Sequence, residues 1–282
     1  MALHRDLPNP RTLQTVLSKN VKKYLDPTIT KFNYRRKYGS AAPNIYKIVN
    51  INPQQVDYLL CQHFWESLSR YTTHIEQGEW DVNERNQEVM LIGKKEGIEN
   101  HSLIHFDNYI LYQSAKRRIQ MNEPWENTRI YKDLIQDRVP KEFSYTSDEV
   151  MSTLNKIDTL CESMRKEGYK QQKDISEQQV IWSTSPCKSQ PEVHEVAINI
   201  GRDGKLIFDD GRHRFIVAKA LGLKRIPTRI FVRHERWQEH RQQISDASSV
   251  NDLSENAKKY IDHPDIRYLS GSKSHGFKRY FI

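Results

Sequence analysis

The sequence predicts a mixed protein of the α+β or α/β class, in which a mainly helical N-terminal region precedes an α/β domain. In the second half of the chain, two stretches have apolar residues at helical spacing, and stretches of alternating apolar residues lie between and after them. Helices and strands together predict this class. The boundaries divide the chain into a basic N-terminal segment (1–42), a mainly helical region (43–140), the α/β domain (145–245) and a C-terminal extension (246–282).

The composition is typical of a folded protein, because hydrophobic residues make up 37% and charged residues 28% of the chain. No stretch reaches the roughly 20 apolar residues of a membrane-spanning helix, and the first residues lack the apolar core of a signal peptide. We therefore expect a cytoplasmic protein without a membrane span. The wide spacing of Cys61, Cys161 and Cys187 predicts buried thiols, not disulfides or a zinc site.

The basic segment carries nine Lys and Arg residues within residues 1–40, against Asp6 and Asp26. Aromatic residues lie among these cations, as in Phe32 and Tyr34. Such a segment can bind nucleic acid or another anionic surface through its charge. A solvated basic arm without a partner is the more usual explanation, because charge runs commonly do no more than keep a chain soluble.

The region from residue 43 to 140 contains two patterns that predict helices. The first begins at Asn52, a helix-capping residue, and Pro53, which suits a first helical position. Its apolar residues recur at helical spacing: Val56, Leu59, Leu60, Phe64 and Leu68. The second pattern runs over residues 103–111. The tryptophans of this half are predicted core residues: Trp65, Trp80 and Trp125.

The next helix has a clear start and end. Residues 146–149 read Thr-Ser-Asp-Glu, which fits a capping box, in which a hydroxyl and a carboxylate bind the unpaired N–H groups of the first turn. Apolar residues then recur every three or four positions up to Met164, and Gly168 is suited to end a helix. The sequence therefore predicts an amphipathic helix over about 147–167.

A hairpin, a helix and a strand follow. Val196, Ile198 and Ile200 alternate with Ala197 and Asn199, and an Asp-Gly pair at 203–204 predicts a tight turn before the strand 206–208. Apolar residues predict a helix over 212–221 that ends at a glycine, and the alternation at 226–232 predicts the last strand.

The turn Asp210-Gly211-Arg212-His213-Arg214 suggests anion binding, because it joins a strand directly to the electropositive start of a helix. Gly211 lets an anion approach the backbone, Asp210 can cap the first turn, and the two arginines can donate to phosphate oxygens. Residues 202–241 hold eleven Lys and Arg against five Asp and Glu. An ordinary capped helix without a ligand can begin in the same way.

Two blocks of sequence resemble the ParB/sulfiredoxin superfamily. "IDTLCESMRKEGYKQQ" (157–172) is similar to the first helix of ParB-like domains and the loop after it. "INIGRDGKLIFDDGRHRFIVAKALGLKRIPTRIFVRH" (198–234) is similar to their hairpin, nucleotide-binding turn, helix and final strand. The superfamily includes partition proteins that hydrolyse CTP, sulfiredoxins that use ATP, and archaeal kinases that phosphorylate free serine.

The turn also departs from two branches of this superfamily. Partition proteins usually carry Gly-Glu-Arg-Arg where this chain has Gly211-Arg212-His213-Arg214, and sulfiredoxins place their reactive cysteine in the turn, where this chain has none. The Asp-Gly-x-His-Arg form is closer to the kinase branch, and closer still to uncharacterised archaeal proteins with a helical N-terminal region.

The resemblance implies a nucleotide-binding protein that uses ATP or ADP, with CTP as a possibility, together with Mg²⁺. It implies nucleotide contacts from Gly211, Arg212, His213, Arg214 and the loop residues Gln171 and Gln172. In a phosphotransferase acting on a small hydroxylated acceptor, Asp209 or Asp210 would be the metal ligand or general base. The alternatives are a nucleic-acid-associated module with the basic arm on DNA, and a non-catalytic scaffold.

Overall fold

An eight-stranded mixed sheet runs through the protein. The structure, a computed structural model, describes residues 25–61, 64, 67–90, 102–135, 146–175, 190–267 and 269. Within them the strands are β1 Ile48–Ile51, β2 Tyr58–Leu60, β3 His74–Glu76, β4 Glu84–Arg85, β5 Leu103–His105, β6 Val196–Ile200, β7 Leu206–Asp210 and β8 Ile226–His234. Their order is β1-β8-β6-β7-β2-β5-β4, and β3 pairs with the C-terminal end of β8.

Helices occur in both halves of the described chain. They are α1 (residues 25–38), α2 Ile110–Met121, α3 Arg129–Ile135, α4 Ser147–Glu167, α5 Arg212–Ala220, α6 Glu235–Asp246 and α7 Glu255–Lys258. Helices α2, α4 and α5 contact one another and contribute to a large apolar core with alternate residues of the sheet, such as Ile198 and Phe208. The intervening residues, such as Ala197 and Ile207, belong to a smaller core with Phe64 and Trp80. The sheet is therefore covered on both faces.

The elements predicted in the second half are confirmed. Helix α4 begins at Thr146 with the expected capping box: the Glu149 N–H donates to the Thr146 hydroxyl at 3.3 Å, and the Thr146 N–H donates to the Glu149 carboxylate at 2.8 Å. The hairpin closes through the Gly201 N–H, which donates to the Lys205 carbonyl at 2.9 Å. Helix α5 and strand β8 follow as predicted.

The prediction of a mainly helical region at 43–140 missed five strands among its described residues, which also contain helices α2 and α3. Asn52 caps a helical turn as expected, but the 3₁₀ turn ends at Gln55 and the chain then enters strand β2. Strand β2 pairs with both β5 and β7, so its apolar residues belong to the interior of the sheet and not to a helix. The pattern at 103–111 likewise begins as strand β5, and helix α2 starts only at Ile110.

The predicted core tryptophans Trp80 and Trp125 are buried, while Trp65 lies outside the described residues. Cys161 is a buried thiol and Cys61 a half-buried one, and Cys187 lies outside the described residues. Among the helices that the structure describes, none has the length and apolar character needed to cross a membrane.

A buried ionic cluster joins the C-terminal extension to the sheet. The Asp265 carboxylate accepts from Arg233 of β8 at 2.7 and 2.9 Å, and it lies 2.7 Å from the guanidinium of Arg241 in α6. The indole N–H of Trp237 donates to the same carboxylate at 3.0 Å. All three charged side chains are about 4% exposed. The two arginines hold the pKa of Asp265 well below its usual range, although burial opposes them.

We expect Asp265→Ala to lower the free energy of unfolding by about 3–5 kcal/mol, because it leaves two buried guanidinium groups without their carboxylate. Urea denaturation followed by circular dichroism measures the effect. Asp262→Ala is the matched control, since the Asp262 side chain is 82% exposed, and we expect it to change stability by less than about 0.5 kcal/mol. Equal effects of the two substitutions would contradict the role given to the cluster.

Candidate functional site

A β-bulge shapes the end of strand β7. Ala197 of β6 pairs with Asp210, but the next residue, Ile198, pairs with Phe208, so Asp209 is an extra residue on β7. Bulges of this kind change the direction of side chains and are common near active sites. On its other side Ala197 pairs with Arg229 of β8, which places Arg229 and Asp210 in one row across three strands.

Asp209 lies in the interior of the sheet and is 0% exposed. Its carboxylate accepts from the side-chain NH₂ group of Asn199 at 2.6 Å. The side-chain oxygen Oδ1 of Asn199 in turn accepts from the Val232 N–H at 3.1 Å. These bonds connect β7, β6 and β8. The position gives Asp209 a structural role, and it does not support the prediction that Asp209 is a metal ligand or general base.

Asp210 is the accessible carboxylate of the turn, with a side chain that is 43% exposed. One oxygen accepts from the Gly211 N–H at 2.7 Å, and the other lies 3.4 Å from the guanidinium of Arg70. Asp210 is not the helix cap that we predicted, because the N-cap position of α5 is occupied by Gly211 and has no side-chain cap bond.

Gly211 is required by the packing of the turn. Its φ of +89° lies in the left-handed region, and a Cβ atom there would be 3.0 Å from Cγ2 and 3.1 Å from Cα of Val196. The glycine thus lets the turn lie directly on the start of strand β6. This packing accounts for the glycine without a ligand.

Arg212 and His213 begin helix α5, and both are half-buried. Burial lowers the pKa of His213 to about 3, and the nearby charges of Arg212, Arg214 and Lys156 add to the effect. His213 is therefore neutral at physiological pH. A neutral imidazole can still donate one hydrogen bond to a phosphate oxygen.

Arg214 points toward the start of strand β6. Its guanidinium donates to the backbone carbonyl of His194, to the Tyr169 hydroxyl at 3.4 Å and to the Glu195 carboxylate at 3.5 Å. The Arg214 side chain is 20% exposed and that of Glu195 only 2% exposed. Arg214 thus joins the start of α5 to the loop after α4 and to a buried carboxylate.

The loop residues Gln171 and Gln172, which we predicted to contact a nucleotide, both lie near Glu195. The Gln172 N–H donates to the Glu195 carboxylate at 2.6 Å, so the two sequence blocks that resemble the superfamily meet at this residue. A cavity of about 250 Å³ opens beside Glu195 and includes Gln171 in its wall; the other lining residues are Tyr46, Ile48, Lys173, Pro191 and Glu192. Burial raises the pKa of Glu195 to about 7, although the Gln172 N–H and Arg214 oppose the rise.

Two further arginines, Arg70 and Arg229, lie near Asp210. Arg229 is 5% exposed, donates to the Arg70 backbone carbonyl at 2.6 Å and stacks on Phe231 at 4.6 Å from the ring centre. Burial lowers the pKa of Arg229 to about 10, although the carboxylates of Asp210 and Asp209 oppose the change. We call Arg70, Arg214 and Arg229 the arginine cluster.

The effect of the arginine cluster is visible at His194. Burial lowers the pKa of His194 to about 4, and Arg70, Arg229 and Arg214 act in the same direction, opposed only weakly by Asp210. Three guanidinium groups from three different parts of the chain thus act on one imidazole. The surroundings of His194 are therefore electropositive.

Sequence reasoning missed Glu195, His194, Arg70 and Arg229. Arg229 did carry a signal, because it interrupts the apolar residues of a predicted strand, but we assigned it no role. All nine residues of β8 are buried. No local pattern marks Glu195 or Arg70, since their importance comes from distant parts of the chain.

The described residues include no group of three or more His, Cys, Asp or Glu side chains arranged to hold a metal ion. Magnesium bound with a nucleotide needs less, because it usually takes one or two carboxylates and completes its shell with phosphate oxygens and water. Asp210 is the residue of the turn that fits such a role.

No family model matches the chain, and neither the curated proteins nor the solved structures contain a significant match to it. The resemblance to the ParB/sulfiredoxin superfamily therefore stays a prediction from the sequence.

The raised pKa of Glu195 predicts a pH-dependent stability. Between about pH 4.5 and 7 the folded protein keeps a proton that the unfolded chain has released, so the free energy of unfolding falls as the pH rises through this window. Glu195→Gln removes the ionisation. From pH 5 to pH 8 we expect the wild-type protein to lose about 2–3 kcal/mol relative to this variant in urea denaturation.

Glu192→Gln, in the wall of the same cavity, is the matched control, and its stability should follow that of the wild type across the same range. If wild type and Glu195→Gln have parallel profiles, Glu195 does not titrate in this window.

Proposed function

We propose that the protein binds a nucleotide whose phosphate groups lie at the arginine cluster and the start of helix α5. The observation that carries this proposal is the convergence of three guanidinium groups, those of Arg70, Arg214 and Arg229, on the surroundings of Asp210 and His194 beside the start of helix α5. Arginine is the side chain best suited to phosphate, because its planar group donates two parallel hydrogen bonds. An anion at this place balances charge that the protein leaves in excess.

The start of helix α5 supports the same location. The first N–H groups of a helix have no partner within it, and the positive end of the helix dipole favours an anion. Arg212 is the first residue of α5 and Arg214 the third, so backbone and side-chain donors lie together. The resemblance of the turn to the nucleotide-binding turn of ParB-like domains adds to this argument.

A phosphotransferase is the sharper form of the proposal, with Glu195 in place of Asp209 as the general base. A carboxyl group with a pKa of about 7 is half ionised at neutral pH, which suits a group that must accept a proton during the reaction. The cavity beside it holds a small acceptor with polar groups, since its wall includes Tyr46, Lys173 and Gln171.

In this reaction the acceptor hydroxyl transfers its proton to Glu195 while its oxygen bonds to the terminal phosphorus of the nucleotide. The bond from that phosphorus to the bridging oxygen breaks, and the shortened nucleotide leaves. Arg214 lies between Glu195 and the start of α5, so it contacts the transferred group and neutralises its charge. Mg²⁺ bound with the nucleotide would supply further charge neutralisation, and Asp210 is the residue that would hold it.

The test is a thermal-shift panel of ATP, ADP, CTP and GTP, each with magnesium. We expect at least one nucleotide to stabilise the protein, by about 2.7 kcal/mol at a concentration one hundred times its dissociation constant. Arg212→Ala should weaken this binding about tenfold or more, because it removes a charged phosphate donor at the helix start.

Arg225→Ala is the matched control, since Arg225 is an exposed arginine just beyond the opposite end of α5. Its thermal shift should equal that of the wild type. An absence of stabilisation by all four nucleotides, or an equal loss in both variants, would contradict nucleotide binding at this turn.

A further inference from the structure

Helix α1 has an exposed apolar face that the proposed nucleotide site does not use. Leu25 is 51%, Ile29 55% and Phe32 67% exposed. Their spacing of four and three residues places them on one side of the helix. We call these three side chains the α1 stripe.

The opposite side of α1 fixes the helix to the protein. Pro27 is buried and Tyr34 is half-buried. Burial raises the pKa of Tyr34 to about 12, and the side chain forms a hydrogen bond with the backbone of Ile75. Tyr34 also contacts Tyr38, with ring centres 5.8 Å apart. The α1 stripe is therefore held facing away from the body of the protein.

Cations border the α1 stripe. Residues 25–38 contain four basic side chains, all exposed, and Asp26 is their single acidic residue; the basic residues are Lys31, Arg35, Arg36 and Lys37. A partner of this surface must accept apolar side chains at its centre and positive charges around them. It must therefore be anionic and have an apolar interior within reach.

Charge complementarity excludes two occupants from within the same protein. A second copy of α1 would bring four cations against four cations. The segment 1–24 of the chain carries five Lys and Arg residues against Asp6, so it is also strongly basic. Duplex nucleic acid suits the cations, but its phosphate backbone offers no apolar surface for leucine, isoleucine and phenylalanine.

We propose that α1 docks the protein on an anionic lipid bilayer. The α1 stripe enters the boundary between headgroups and acyl chains, and the lysines and arginines extend to lipid phosphates and carboxylates. The helix lies in the plane of the surface, which agrees with the absence of a membrane-crossing helix from the described part of the chain. The nucleotide site is not part of this surface.

The test is co-sedimentation of the full chain with vesicles of phosphatidylcholine alone and of phosphatidylcholine with about 30% phosphatidylserine. We expect binding to the anionic vesicles only, and weaker binding as salt is raised. Phe32→Glu and Ile29→Glu should each reduce the partition coefficient roughly tenfold or more, because a carboxylate replaces an inserted apolar group. Both positions are exposed, and circular dichroism checks that each variant is folded.

Met121→Glu is the matched control, because Met121 is 72% exposed at the end of α2, outside the α1 stripe. It should bind anionic vesicles as the wild type does. The proposal is overturned if neither vesicle binds, if Phe32→Glu and Ile29→Glu bind as well as the wild type, or if Met121→Glu loses binding equally. Retention on duplex DNA or self-association that these two variants abolish, without vesicle binding, would assign α1 to a different partner.

Discussion

Strand β8 must keep charged side chains inside the protein, and much of the structure depends on how it does so. The strand is buried along its whole length, yet it contains two arginines, Arg229 and Arg233, and the polar side chain of His234. Removing an ion from water costs several kcal/mol unless close partners replace the lost hydration. These partners come from distant parts of the chain. Arg233 donates to Asp265, His234 forms a hydrogen bond with the Gly78 carbonyl, and Arg229 donates to the Arg70 carbonyl.

The two arginines of β8 are balanced in different ways. Arg233 has a carboxylate in direct contact at 2.7 Å, which it shares with Arg241. Arg229 donates to a neutral carbonyl and lies over a phenylalanine ring, and the carboxylates of Asp210 and Asp209 influence it electrostatically. One end of the strand therefore stabilises the fold, and the other carries a positive charge that the proposed nucleotide site would use.

The second half of the fold could be predicted because its signals are local. The capping box at Thr146, the Asp-Gly turn at 203–204 and the glycine after α5 each act within a few residues. The first half could not, because a short strand such as Tyr58–Leu60 has too few residues for an alternating pattern, and an apolar run buried on both faces resembles a helix. In the site, the turn was found from the sequence, whereas Glu195 depends on contacts from positions 172 and 214.

Strands from the first half pair with both edges of the three-stranded sheet β8-β6-β7 that the second half forms. Strand β2 pairs with β7, and β1 and β3 pair with β8, so the segment 145–245 alone would have two open edges with unpaired backbone groups. Such a fragment is prone to edge-to-edge aggregation, and its boundaries would make a poor choice for expression. The pairing of Ile48 with Arg229 also joins residues far apart in the chain, which is characteristic of slow folding. The hairpin of β6 and β7 forms from near neighbours, so the N-terminal strands are expected to join a sheet whose centre already exists.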